Sequence, residues 1–317
     1  MAAPSDPDRV PVSSSGEHFV RLGQIKLCYE TFGSEDAPPL LLVMGLGSQM
    51  VLWHDELCEQ LAERGFWAIR FDNRDVGRSS ILRDAPIPSQ RQLILRDPRG
   101  ASYSLEQMAD DTAGLLDQLE VRQAHVVGAS MGGMIAQWLA IRHPERVSSL
   151  VSIMSSTGSR KAGQTHPRLY LRMLRRPRMD REGYIEDFVA TFKAIGSRRY
   201  PGDPEETRAL AARCFERGLH PAGSARQLAA VLTASDRTPL LRQLDVPTTV
   251  IHGDADPLVM PSGGRATAEA IPGARLAIIP GMGHGMPRVL WPRIVQEIVD
   301  TAARAGWTPA TTAARSG

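Results

Sequence analysis

Short, continuous apolar runs alternate along the chain with longer segments of helical spacing. The runs PLLLVMG, FWAIRFD, AHVVG and RVSSLVSIM have the composition of strands that are buried on both faces. The segments VLWHDELCEQLAERG and SLEQMADDTAGLLDQL lie between them and keep apolar residues on one helical face. Because strands that alternate with helices build a mostly parallel sheet covered on both faces, the sequence predicts an α/β fold.

The alternation stops between residues 156 and 237. GYIEDFVATFKAI, PEETRALAARCFERG and SARQLAAVLTA have helical spacing there, and Pro and Gly separate them. The pattern of strands returns with PTTVIHG and ARLAIIP, and VLWPRIVQEIVDTAARA predicts a closing helix. We therefore predict a core of residues 17–155 and 238–304, an inserted helical cap of residues 156–237, and flexible tails at residues 1–16 and 305–317.

Composition argues against several classes of protein. The chain has 37 Lys and Arg against 35 Asp and Glu, a net charge of +2, which gives no reason to expect nucleic acid or an anionic membrane as a partner. Cys28, Cys58 and Cys214 are scattered, without a C-x-x-C pair, and indicate neither a disulfide framework nor a metal site. We expect no metal and no cofactor, and a small molecule as the partner.

The cellular location is predicted from the N-terminal residues, the apolar runs and the cysteines. The first residues lack the basic start and apolar core of a signal peptide, and no apolar run is continuous enough to span a bilayer. Unpaired cysteines suit a reducing compartment. These features predict a soluble, cytoplasmic protein, and the sequence carries no signal for an oligomeric state.

The pattern G-x-S-x-G occurs at residues 128–132, GASMG, between the predicted strand AHVVG and a helix predicted from Met131 to Arg142. A strand, a sharp turn and a helix form the structural context of a nucleophile elbow. Small residues around Ser130 permit a strained turn that exposes the serine hydroxyl. We predict Ser130 as a nucleophile; the alternative is a glycine-rich turn that only packs the helix on the sheet.

To act as a nucleophile, a serine hydroxyl needs a base and a carboxylate that orients the base. In proteins with this motif, both groups follow the serine in the chain. VIHGDADPLV puts Asp254 and Asp256 in a turn directly after a strand, at the edge where open α/β sheets build their sites. IIPGMGHGMP puts His284 in a glycine-flanked loop, whereas His252 lies within the acidic turn and is interpreted as structural. The residues predict His284 as the base and leave Asp254 and Asp256 open as the acid.

The chain resembles the α/β-hydrolase-fold serine esterases, and among them the aclacinomycin methylesterase type. The matching stretches are LLLVMGLGSQMVLW, IRFDNRDVGRSS, AHVVGASMGGMIAQ, VPTTVIHGDADPL and IPGMGHGMP. The resemblance implies a mostly parallel, eight-stranded sheet with helices on both faces and an inserted helical cap. It also implies Ser130 as the nucleophile, His284 as the base and Asp256 as the acid, because the family places the acid three residues after the glycine of HG; Asp254 is the alternative.

Within this scheme the oxyanion that develops during ester cleavage needs two preorganised N–H donors. The resemblance implies the main-chain N–H of Met131, directly after the nucleophile, and that of Leu46 in the turn MGLG. Met44 stands where these enzymes often carry a histidine before Gly45, but a backbone donor at Leu46 does not depend on that side chain. The alternative is an ordinary glycine turn.

The predicted function is carboxylic ester hydrolysis through an acyl-enzyme intermediate, by a carboxylesterase or methylesterase. Six methionines lie beside the motifs: Met44, Met50, Met131, Met260, Met282 and Met286. A lining of flexible thioether side chains favours a fairly apolar small molecule as the substrate, although methionine also fills protein cores. A perhydrolase, an acyltransferase or a carbon–carbon bond hydrolase would use the same triad. A ligand-binding receptor on a hydrolase scaffold would retain the triad with slow or lost turnover.

Overall fold

A computed structural model describes residues 14–169 and 178–308. Within these residues eight strands form one sheet: β1 (His18–Leu22), β2 (Ile25–Phe32), β3 (Pro39–Val43), β4 (Trp67–Phe71), β5 (Ala124–Ala129), β6 (Val147–Ile153), β7 (Thr248–Gly253) and β8 (Arg275–Ile279). The spatial order is β1-β2-β4-β3-β5-β6-β7-β8. Strand β2 is antiparallel to β1 and β4, and the other pairs are parallel. The predicted mostly parallel, eight-stranded sheet is confirmed.

Helices pack on both faces of the sheet, as predicted. Their bounds are α1 (Asp55–Glu63), α2 (Gln90–Leu95), α3 (Leu105–Gln118), α4 (Met131–Arg142), α5 (Arg181–Ile195), α6 (Pro204–Arg217), α7 (Pro221–Thr233), α8 (Thr238–Leu241), α9 (Ser262–Ala270) and α10 (Trp291–Arg304). In the part of the chain that the structure describes, no helix has the length and apolar character that a bilayer span requires.

The core lies in two layers because successive strand residues face opposite sides of the sheet. In β3, Leu41 and Val43 pack with the buried side of α3 and α4. Leu40 and Leu42 face the other way and pack with apolar residues of α1 and α10. Every residue of β4 and β5 is buried, which explains why the central strands read as continuous apolar runs.

The packed chain extends past both predicted core boundaries. At one end, the main-chain N–H of Ser15 donates to a carbonyl of β2 at 2.9 Å. At the other, Trp307 is buried and stacks on Phe66 with 4.5 Å between ring centroids, because it fills the apolar layer beside α10. The rest of the two predicted tails, residues 1–13 and 309–317, lies outside the described residues.

The segment predicted as a cap contains α5, α6 and α7, and every element described between residues 156 and 237 is helical; residues 170–177 are outside the description. A buried ion pair ties α7 to the loop after β4. Arg226 donates from Nε and Nη2 to the two carboxylate oxygens of Asp75 at 2.7 and 2.8 Å. Because removing two charges from water is costly, this bidentate geometry is needed to offset their burial.

Candidate active site

Ser130 lies on the sharp turn between β5 and α4. Its φ of 57° lies in the left-handed region, which residues with a side chain rarely adopt. Its main-chain N–H donates to the carbonyl of Ile153 at 2.9 Å, and its own carbonyl accepts from Gly133 N–H at 3.0 Å and from the Ser155 hydroxyl at 2.8 Å. These hydrogen bonds hold the strained turn at the carboxyl edge of the parallel strands.

Two glycines of the motif are required by the close approach of α4 to the strands. A Cβ on Gly128 would lie 2.2 Å from the carbonyl oxygen of Gly132, and a Cβ on Gly132 would lie 2.1 Å from that of Val43. Both neighbours are main-chain atoms, which cannot move aside without shifting a strand or a helix.

We expect Gly132→Ala to lower the free energy of unfolding by about 1–3 kcal/mol or more, since an overpacked core must shift its backbone. Urea unfolding followed by circular dichroism measures this loss. Gly202→Ala is the matched control, because its Cβ would meet only the Thr207 hydroxyl, at 3.9 Å. Equal unfolding midpoints for the two variants would contradict the packing described above.

The structure brings Ser130, His284 and Asp256 into one chain of hydrogen bonds. The Nε2 atom of His284 lies 3.0 Å from the Ser130 hydroxyl, and its Nδ1 atom lies 2.7 Å from Oδ2 of Asp256. Asp256 and His284 are 3% and 6% exposed, so bulk water has little access to the bond between them, whereas Ser130 is partly exposed. When Nδ1 carries the imidazole proton and hydrogen-bonds through it to the carboxylate, Nε2 has a free lone pair that can accept the serine proton.

The second oxygen of Asp256 anchors the carboxylate. Oδ1 accepts from the main-chain N–H groups of Leu258 and Val259 at 2.8 and 2.9 Å. Burial opposes ionisation of Asp256, but the charge of His284 and hydrogen bonds from His252 and His284 outweigh it and lower the pKa of Asp256 to about 2. The carboxylate is therefore ionised at neutral pH and available to orient the imidazole.

His252 also contacts Asp256, a contact that the sequence did not indicate. Its Nε2 atom lies 2.8 Å from the carbonyl oxygen of Val259 and 3.4 Å from Oδ2 of Asp256. Because a carbonyl only accepts, Nε2 must carry the proton and faces the carboxylate as a donor. The position of His252, four residues before Asp256 in the same strand and turn, is the sequence signal that could have identified this contact.

The alternative acid, Asp254, makes a different contact. Its Oδ1 accepts from the main-chain N–H of Gly281 at 2.6 Å, and the residue is exposed. This hydrogen bond joins the turn after β7 to the loop after β8. Of the two carboxylates, the one at Asp256 is hydrogen-bonded to His284.

The turn at residues 45–48 lies against the elbow. The Ser48 N–H donates to the carbonyl of Gly45 at 3.2 Å, and Gly47 has a φ of 64°, as the third position of a type II turn requires. A Cβ on Gly45 would lie 3.6 Å from the Ser130 hydroxyl oxygen. Leu46, one of the two predicted donors, thus belongs to a turn beside Ser130.

The other predicted donor, Met131, is the first residue of α4, where the main-chain N–H has no partner within the helix. Among the described residues, neither this N–H nor that of Leu46 has a hydrogen-bond partner. Two unpartnered donors beside a serine hydroxyl are what an oxyanion site requires.

The methionines beside the motifs differ in exposure. Met44, Met50, Met131 and Met282 are buried in the apolar clusters, whereas Met260 is 40% exposed. Core packing therefore accounts for most of this set.

The chain belongs to the α/β-hydrolase fold family, whose profile matches residues 38–286. This assignment agrees with the strand order, the turn at Ser130 and the helices on both faces. Family membership and the esterases among its relatives identify the protein as a hydrolase.

Relatives with recorded activities include a rhodomycin D methylesterase of Streptomyces sp. strain C5, which is 30% identical over 83% of this chain and 90% of its own length. A 3-oxoadipate enol-lactonase of Acinetobacter baylyi is 26% identical over 80% of this chain and 85% of its own. Among solved structures, a hydrolase from Pseudomonas aeruginosa PA01 has a TM-score of 0.68 and 25% identity, over 91% of this chain and 98% of its own.

Proposed function

We propose that the protein is a serine hydrolase that cleaves a carboxylic ester through an acyl-enzyme intermediate. The observation that carries this proposal is the continuous hydrogen-bond chain from Asp256 through His284 to Ser130, with distances of 2.7 and 3.0 Å. In it Ser130 is the nucleophile, His284 the general base and Asp256 the acid that orients the imidazole.

The reaction proceeds in two halves. His284 Nε2 takes the Ser130 proton as the hydroxyl oxygen attacks the ester carbonyl, and the imidazolium that forms is stabilised by the ionised Asp256. The imidazolium then gives its proton to the leaving alcohol, which departs and leaves an acyl-serine. A water molecule, deprotonated by the same imidazole, then attacks the acyl-serine; the imidazolium returns this proton to the Ser130 oxygen as the C–O bond breaks and the carboxylic acid is released.

Each tetrahedral intermediate carries a negative oxygen. In our proposal the main-chain N–H groups of Leu46 and Met131 donate to it; neither has another partner among the described residues. Donors that are fixed before the reaction stabilise the transition state without a reorganisation cost.

The substrate is proposed to be a fairly apolar small ester, and a methyl ester is the first candidate. Similarity to a rhodomycin D methylesterase supports this choice. Similarity to an enol-lactonase supports a second candidate, lactone hydrolysis, in which the leaving alcohol stays attached to the acid. The buried, unpaired cysteines favour the cytoplasm as the place of action.

The test is a panel of p-nitrophenyl esters of increasing acyl length, methyl esters of polycyclic acids, and a lactone. We expect steady turnover of at least one ester, and labelling by a fluorophosphonate that peptide mass spectrometry maps to Ser130. A burst of one product per enzyme without steady turnover would favour a receptor on this scaffold. Labelling at another residue, or no labelling and no turnover, would refute the proposal.

A further inference from the structure

Gln227, on α7 in the predicted cap, bridges two loops of the core. Its side chain is 0% exposed. Its Oε1 accepts from the main-chain N–H of Gly47 at 2.7 Å, and its Nε2 donates to the main-chain carbonyl of Arg74 at 2.7 Å. Because one end accepts and the other donates, the two bonds fix the amide in one orientation.

The loop held by Oε1 is the turn that contains Leu46. The Gly47 N–H belongs to the peptide group that follows Leu46, and the Ser48 N–H···O=C Gly45 bond of 3.2 Å fixes the peptide group that precedes it. The cap also packs directly on this turn, since a Cβ on Gly47 would lie 2.9 Å from the Ser224 hydroxyl. The position of the turn relative to Ser130 therefore depends on α7.

Loss of the Gln227 amide would release one side of this turn. The partly buried Gly47 N–H would lose its acceptor, and its peptide group would be free to move toward another one. A glycine at positive φ allows such a movement, because it has access to both halves of φ space. The turn that carries the Leu46 N–H would then no longer be held in a single conformation.

We propose that Gln227 is a positioning residue, which holds the turn at residues 45–48 so that Leu46 N–H donates to the oxyanion. The inference rests on the proposed function, because it assigns Gln227 a role in the same reaction. It makes α7 part of the apparatus that stabilises the transition state, in addition to any part it has in admitting the substrate.

The test is Gln227→Met, a side chain of similar length without an amide. We expect kcat for the best ester to fall by about 10- to 100-fold, because a small displacement of a catalytic group is costly. KM should change by less than about threefold, since the turn acts on the transition state rather than on the bound ester. The affinity for an alkyl boronic acid, which forms a tetrahedral adduct with a catalytic serine, should fall in proportion to kcat/KM.

Gln137→Met is the matched control. Gln137 is likewise 0% exposed, and its Oε1 accepts from Nε of Arg237 at 2.9 Å, so the same buried amide is lost at a place that does not touch the turn. We expect a lower melting temperature for this variant, with kcat and boronate affinity within about threefold of the wild type.

The outcomes separate this inference from the proposed function. If the wild type hydrolyses esters and Gln227→Met loses no more kcat and boronate affinity than Gln137→Met, the inference is wrong and the triad stands. If the wild type hydrolyses no ester, the proposed function fails first. Should Gln227→Met not fold, Gln227→Asn replaces it, because an amide one methylene shorter cannot reach both loops; an unchanged kcat in that variant overturns the inference.

Discussion

Ser130→Ala is expected to lower kcat for ester hydrolysis by about four to six orders of magnitude. The variant removes the atom that forms the acyl bond, and His284 Nε2, at 3.0 Å from that oxygen, then has no hydroxyl to activate. The fold should be preserved, because the turn is held by main-chain groups of residue 130, through its bonds to Ile153 and Gly133. Single-turnover and steady-state assays with the best p-nitrophenyl ester measure the loss.

Ser149→Ala is the matched control for this variant. Ser149 is also buried, but its hydroxyl bonds to Nδ1 of His125, on the strands and away from the elbow. It should retain wild-type kcat and fluorophosphonate labelling, whereas Ser130→Ala should lose both with an unchanged circular dichroism spectrum. Wild-type turnover by a pure Ser130→Ala preparation would remove Ser130 as the nucleophile.

Asp256→Asn should lower kcat by about 10⁴-fold with a small change in KM. The asparagine oxygen would keep the bonds from Leu258 and Val259 N–H, which turns its NH2 group toward His284 Nδ1. Two donors cannot face each other, so Nδ1 gives up its proton and the imidazole carries it on Nε2. An imidazole in that tautomer cannot accept the Ser130 proton.

Asp254→Asn tests the alternative acid with the same chemical change. Its amide oxygen can still accept from Gly281 N–H, so we expect kcat within about threefold of the wild type and a similar melting temperature. Parallel pH–rate profiles of the two variants provide the comparison. A large loss in Asp254→Asn together with an active Asp256→Asn would exchange the roles of the two carboxylates.

Buried strands were the part of the fold that the sequence predicted best. The run PLLLV of β3 and the run of β5 are apolar at nearly every position because both faces of the sheet are covered. Helix α9 was not predicted, since it packs through small residues such as Gly263, Gly264 and Ala270 and shows no large apolar stripe. Helix α2 was not predicted because it buries none of its residues.

The residues of the candidate site also differ in how well the sequence predicted them. Some lie within a short local motif, and others are defined by contacts between segments that are far apart in the chain. The elbow at Ser130 and the loop of His284 carry their glycines next to the functional residue, so each was visible in a few letters. Spacing alone could not separate Asp254 from Asp256, because the difference between them is which one the histidine loop meets in space. Gln227 was not identified, since its partner Gly47 is 180 positions away and a lone glutamine on a helix carries no pattern.

The buried pair of Arg226 and Asp75 constrains any attempt to change selectivity by grafting another hydrolase's cap onto this scaffold. A donor segment that replaced α7 without supplying an arginine would leave Asp75, which is 0% exposed, without its counter-ion, at a cost of about 3–5 kcal/mol. Exchange of α6 would in the same way remove Arg217 from the buried Asp72, so chimeras that exchange only α5 and leave residues 204–233 in place avoid both penalties. Of the three cap helices, α5 is therefore the one whose replacement would leave no buried carboxylate of the described residues without its arginine.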